Sequence, residues 1–156
     1  MDFNTGLTAK QRASVIKTLE PLLADEVALY FATRGAHWNV VGMGFGAFHK
    51  FFEAQYEQLD DIMDDVAERI RALGGLAPAT VAGFAKAARV KEGAGEAKNA
   101  EAMIKGLLTM HEQIIRQLRK DVEVASEATD EGTADFLTGL VEEHEKMAWM
   151  LRAHLQ

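Results

Sequence analysis

Apolar residues recur at helical spacing along four long stretches of the chain, and no stretch alternates with period two between turn residues. Val15, Leu19, Leu22, Leu23, Val27 and Tyr30 form the stripe of a first helix, running from a Thr8 N-cap to about Arg34. Gly35, then Val40-Val41-Gly42-Met43-Gly44, interrupt that pattern. A second helix spans about Phe45 to Leu73 and stops at Gly74-Gly75. The connector from Leu76 to about Gly95 holds a short helix near Thr80 to Ala88. A third helix covers about Glu96 to Glu127. The fourth begins near Asp130-Glu131-Gly132-Thr133, with Asp130 or Thr133 as its cap and acids suited to the helix dipole, and ends near Leu155. The pattern predicts an all-α chain, a four-helix bundle whose longer connection lies between the second and third helices.

Composition narrows the class. A chain of 156 residues fits one domain, residues 1–156, with enough interior for a core. The absence of cysteine removes disulfides and thiolate metal sites. The opening MDFNTGLTAKQ has no basic segment followed by an apolar run, and no segment is apolar enough to span a bilayer, so a cytoplasmic location without membrane contact is expected. A formal net charge of −7 disfavours nucleic acid and suits a protein that gathers cations.

The second helix carries the chemistry. At 100° per residue, Phe48, Phe51, Phe52, Tyr56, Leu59, Ile62, Met63, Val66 and Ile70 share one broad face, the predicted core. His49, Glu53, Glu57, Asp60, Asp61, Asp64 and Glu68 fall on an adjacent stripe with no lysine or arginine. The like-charged pairs Glu53–Glu57, Glu57–Asp61, Asp60–Asp64 and Asp64–Glu68 each oppose the helix by a few tenths of a kcal/mol. A solvated acidic face is the plain reading. His37 and His49 tilt the balance: two imidazoles with several carboxylates make a mixed N/O ligand set that suits iron, manganese or zinc, the carboxylate share favouring the harder ions. His49 and Glu68 lie 19 residues apart, roughly 28 Å along one helix, too far to share an ion within one chain. If they share a site, it lies between two second helices running antiparallel across a two-fold axis, which creates two identical sites per dimer.

His37-Trp38-Asn39-Val40, Gly42, Phe45, Phe48-His49, Phe52-Glu53, Tyr56, Leu59 and Asp64-Asp65-Val66-Ala67-Glu68-Arg69-Ile70 resemble the signature of the Dps family, the mini-ferritins also called DNA-binding proteins from starved cells. Asp130 to Asp135, Glu145-Lys146 and Trp149 match that family's last helix, and the resemblance extends over nearly all of the chain past Leu19. It implies a ferritin-like bundle assembled as a dodecameric shell and a ferroxidase that oxidises Fe(II), preferring hydrogen peroxide, and stores Fe(III) mineral against oxidative stress. It implies that His37, His49 and Glu53 of one subunit meet Asp64 and Glu68 of its two-fold mate around a dinuclear iron site. Trp38 would relay electrons, and Asp135 and Glu145, with Glu142 on the same face, would line a pore that draws cations inward. Family members commonly carry Asp where Glu53 stands. His111, His144 and His154 are read as structural or surface residues, and no heme is expected, the methionines being scattered through core positions.

The chain departs from the DNA-binding members. Its segment before the first helix is short and holds one basic residue, Lys10; twelve copies would carry a formal charge of about −84. DNA binding is expected to be weak or absent, although Lys86, Arg89, Lys91 and Lys98 make a small basic cluster near the connector. A larger ferritin is disfavoured because no histidine has glutamate three residues before it. A nucleoid-coating protein and a purely structural bundle remain as the competing classes.

Overall fold

The computed structural model describes residues 3–91 and 93–156. All its regular elements are helical: α1 Ala9–Asn39, α2 Phe45–Ala72, α3 Val81–Ala87, a 3-10 turn at Ala94–Glu96, α4 Ala100–Glu127 and α5 Glu131–Ala153. No strand occurs among the described residues. The principal pairings are α1 on α2 and α4 on α5, and α1 also packs on α4, on α3 and on the 3-10 turn. The result is the predicted bundle with its crossover.

The caps follow the sequence. Thr8 and Gln11 form a reciprocal capping box on α1. The Asp130 carboxylate accepts from the Thr133 backbone at 3.1 Å and caps α5. Gly74, at φ 90°, takes the left-handed conformation that ends α2, and the Gly75 N–H donates back to Ile70 O at 3.0 Å.

Two boundaries differ from the sequence pattern. The first helix does not end at Arg34 but runs through Gly35 to Asn39, so His37 and Trp38 sit in its last turn rather than in a loop. Gly35 serves as a contact surface: a Cβ there would lie 3.2 Å from the Gly95 Cα, and a Cβ on Gly95 would meet Ala32 O at 2.5 Å. The connector rests directly on the α1 backbone, held by an Asn39 Nδ2 to Gly95 O bond of 3.0 Å. The third long helix starts at Ala100, not Glu96, because Glu96 closes the 3-10 turn and Asn99 caps α4 through the Ala102 N–H.

The core is built from Leu19, Leu22 and Leu29 of α1, Phe52, Leu59 and Ile70 of α2, Leu107, Ile114 and Leu118 of α4, and Leu137, Met147 and Leu151 of α5, all fully buried. Each contributes roughly 1.5–3 kcal/mol of transfer free energy. Of the nine α2 residues assigned to its apolar face, Phe52, Leu59, Ile62, Val66 and Ile70 are buried, and Phe48, Phe51, Tyr56 and Met63 are half-buried. A polar clasp fixes the connector to this core. The buried Asp25 carboxylate accepts from the backbone N–H of Arg89 at 2.5 Å and of Val90 at 3.2 Å, and from Arg89 Nε at 2.7 Å. Arg89 Nη2 also reaches Asp121 on α4 at 3.5 Å. Burial raises the Asp121 carboxyl above its ordinary pKa, against the opposing pull of Arg89.

Candidate metal centre

The last turn of α1 lies against the first turns of α2, which brings His37 and His49 together. Their rings stack at 3.6 Å between centroids, 20° from parallel. His37 Nδ1 lies 2.8 Å from His49 O, and His49 Nδ1 lies 2.8 Å from His37 O. A carbonyl oxygen only accepts, so both Nδ1 atoms carry the proton. In the neutral imidazole that places the lone pair on Nε2, the tautomer a metal-binding imidazole needs, with its other nitrogen anchored by backbone. Phe45 stacks on the other face of His49 at 5.0 Å.

Glu53 stands one turn beyond His49 on α2 and is half-buried. The Tyr56 hydroxyl lies 3.5 Å from Glu53 Oε1. Tyr56 has its phenol pKa raised by desolvation and by the Glu53 charge, so it remains a donor at neutral pH. Glu57, Asp60, Asp61, Asp64 and Glu68 are exposed, and no basic side chain pairs with any of them among the described residues. The continuous run of α2 from Phe45 to Ala72 separates Asp64 and Glu68 from the histidine pair by about four to five turns. Among the described residues, no three His, Asp or Glu side chains of one chain converge on a point able to hold a metal ion. The donor set is thus split into two halves at opposite ends of one helix face.

Trp38 is 61% exposed on the single chain, with the Arg34 guanidinium 5.8 Å from its ring. Asp135, Glu142 and Glu145 are exposed along α5, but Glu145 pairs with Arg119 at 2.5 Å. The basic cluster near the connector is smaller than the sequence suggests, because Arg89 is committed to Asp25 and Asp121.

Three features escape a reading by spacing alone. Arg69 joins the two motif segments: its Nη2 donates to Asp130 Oδ1 at 2.9 Å and its Nε to Thr133 Oγ1 at 2.8 Å, tying the Glu68 end of α2 to the start of α5. Arg34 donates to the Tyr30 hydroxyl at 2.6 Å and lies 4.5 Å over the Tyr56 ring beside the histidine pair. Glu26, His111 and His144 form a polar layer inside the bundle, all fully buried. His111 Nδ1 and His144 Nδ1 are 3.0 Å apart, and His144 Nε2 lies 3.1 Å from Glu26 Oε1 without hydrogen-bond alignment. Burial, then the neighbouring His144, holds the His111 pKa well below the ordinary value, keeping it neutral. The signal for this layer was Glu26 standing among the apolar residues of α1. His154, by contrast, is exposed and packs 4.5 Å from Phe51.

No helix among the described residues is long and apolar enough to cross a membrane. The family model for the ferritin-like domain matches residues 16–156. A low temperature-induced protein of Nostoc sp. is 46% identical over 154 residues, covering 98% of this chain and 86% of the relative. The DNA protection during starvation protein 2 of Bacillus anthracis is 36% identical, covering 90% of this chain and 96% of that one. A crystal structure of a Dps protein from Vibrio cholerae, described as a member of a superfamily of ferritin-like diiron-carboxylate proteins, superposes with a TM-score of 0.93 at 34% identity over 100% of this chain and 98% of that one. Matches of this extent and identity, on a chain that carries the motif residues in place, show that it belongs to the Dps family of ferritin-like proteins.

Proposed function

We propose that the protein is a ferroxidase and iron-storage mini-ferritin whose catalytic site is completed by a second subunit. The observation that carries this reading is the His37–His49 pair, whose reciprocal Nδ1 bonds to backbone leave both Nε2 lone pairs free beside the Glu53 carboxylate. Among the described residues Asp64 and Glu68 have no basic partner, and they lie too far along α2 to reach that pair. An antiparallel pairing of two copies of α2 brings each half-set onto its complement, and cations bound between them offset the like-charge repulsion along the stripe.

In this reading Fe(II) is the substrate. His37, His49 and Glu53 bind it from one side, and Asp64 and Glu68 of the two-fold mate from the other. Iron bound here supplies two electrons, one from each Fe(II), to one molecule of hydrogen peroxide, which with two protons yields two waters and no hydroxyl radical. The carboxylates favour the product because their negative charge stabilises Fe(III) more than Fe(II). The imidazoles bind through nitrogen and fix the position of the ions, and their backbone bonds remove rotational freedom before the substrate arrives. Trp38, one residue from His37, would relay electrons. Asp135 and Glu142 offer the free carboxylates of a cation-attracting pore, Glu145 being balanced by Arg119. Twelve subunits enclose the cavity in which Fe(III) mineral collects, in the cytoplasm, and DNA is bound weakly or not at all.

The test mixes the anaerobic protein with Fe(II) and hydrogen peroxide, then separates shell from precipitate and measures iron in each. Rapid oxidation with iron co-eluting with a large oligomer, slowed in His49→Ala and Glu68→Ala, is the expected result. Iron that precipitates outside that peak at the uncatalysed rate contradicts the reading.

A further inference from the structure

Glu53 is one methylene longer than an aspartate, and a free glutamate carries more rotamer freedom to lose when it binds an ion. Its surroundings limit that freedom. Tyr56, three residues on and thus on the neighbouring turn of the same face, carries its hydroxyl to 3.5 Å from Glu53 Oε1. That is longer than the roughly 2.5–3.0 Å of a usual O–H···O bond, so the contact has to tighten when Glu53 takes up an ion.

The Tyr56 ring is itself held from several sides. It stands edge-on to His37, with centroids 5.2 Å apart and planes at 80°, and edge-on to Tyr30 at 6.1 Å and 83°. The Arg34 guanidinium covers it at 4.5 Å, a cation–π contact. Arg34 is anchored in turn by its 2.6 Å bond to the Tyr30 hydroxyl. Packing alone needs only the ring. Among the described residues the phenol oxygen has one acceptor within reach, Glu53 Oε1 at 3.5 Å, which gives it a separate task.

We propose that Tyr56, braced by Arg34 and Tyr30, is a positioning residue that fixes the Glu53 carboxylate and thereby sets the affinity of the metal ion that Glu53 binds. This rests on the metal-site reading above. It adds that the longer acid at position 53 and the tyrosine at position 56 work as a pair. Losing a partner that orients a ligand carboxylate costs roughly tenfold or more in ion affinity. The effect should depend on the length of the acid, because an aspartate carboxylate sits closer to the backbone and out of reach of the hydroxyl.

The experiment is calorimetric titration of the metal-free shell with Zn²⁺, comparing parent, Tyr56→Phe, Glu53→Asp and the double variant, with shell size and Tm checked for each. In the parent background, Tyr56→Phe should weaken one class of bound ion about tenfold and leave the ring packing and Tm intact. In the Glu53→Asp background the same change should alter affinity by less than about twofold, so the pair is strongly coupled. An equal effect in both backgrounds, or none in either, overturns the inference while the metal site stands. A parent shell that binds no Zn²⁺ at all overturns the metal-site reading, and this inference with it.

Discussion

Replacing Asp25 with alanine removes the one acidic group that, among the described residues, ties α1 to the connector, and its cost can be worked from the contacts. Asp25 is fully buried and accepts from three donors: the backbone N–H groups of Arg89 and Val90 and the Arg89 guanidinium. Val90 is itself buried, so its N–H would be orphaned at about 1–3 kcal/mol. Breaking a buried ion pair by removing one partner costs about 3–5 kcal/mol. Arg89 is 26% exposed and retains Asp121, so it recovers part of its solvation, and the lower end of that range, about 3 kcal/mol, is expected. For a chain of this length that corresponds to a Tm lower by roughly 6–12 °C at fixed protein concentration. The damage should be local: α3, which packs on α1 beside the half-buried Met63 of α2, would lose its tether, and amide exchange should quicken in 76–95 before it does in α4 and α5. Thermal unfolding of Asp25→Ala, Arg89→Ala and the double variant gives the coupling directly. A Tm within about 2 °C of the parent, or exchange that quickens evenly through the bundle, would refute the view that this clasp holds the crossover.

Three further outcomes follow from other contacts. His111 binds a proton less readily in the folded state than the ordinary histidine pKa of about 6.5 allows, so its contribution is complete above that pH and is lost as pH falls below it, by up to about 1.4 kcal/mol per unit. Denaturant unfolding between pH 7.5 and 5 should show that decline, and a His111→Gln variant should flatten it; an unchanged slope would contradict the assignment. Arg69→Ala should lower stability by about 1–3 kcal/mol by freeing the buried Asp130 carboxylate, and should slow iron oxidation through Glu68 on the same turn; a variant matching the parent in both assays contradicts that role. Cation capture at the α5 face should depend on Asp135 and Glu142: charge-removing variants there should slow iron uptake at low salt more than at high salt, whereas equal slowing at both would speak against electrostatic attraction.

Much of this was legible in the sequence because it depends on period. The α2 stripe, its core face and the 19-residue gap between His49 and Glu68 follow from 3.6 residues per turn, and the helix keeps that register from Phe45 to Ala72. Caps at Thr8 and Asp130 were equally readable, being side-chain chemistry at one position. What escaped depends on long-range contact. Gly35 looked like a helix stop, yet its role is to admit Gly95, 60 residues later, and that contact is invisible to a local rule. Arg89 looked like part of a basic surface until Asp25 and Asp121 claimed it. The histidine tautomers required the fold, since each Nδ1 bonds to the backbone of the other residue's helix.

The central claim is that each site takes His37, His49 and Glu53 from one subunit and Asp64 and Glu68 from another. Co-assembling His49→Ala and Glu68→Ala subunits in equal amounts tests it most directly. Each homodimer of either variant has two damaged sites. Each mixed dimer has one site carrying both changes and one carrying neither. Random pairing therefore restores about one quarter of the parent's peroxide-driven Fe(II) oxidation, from two proteins that are each nearly inactive alone. Recovery near that fraction, scaling with the mixing ratio, is the predicted result; mixed shells no more active than either variant would contradict a site shared across a two-fold interface.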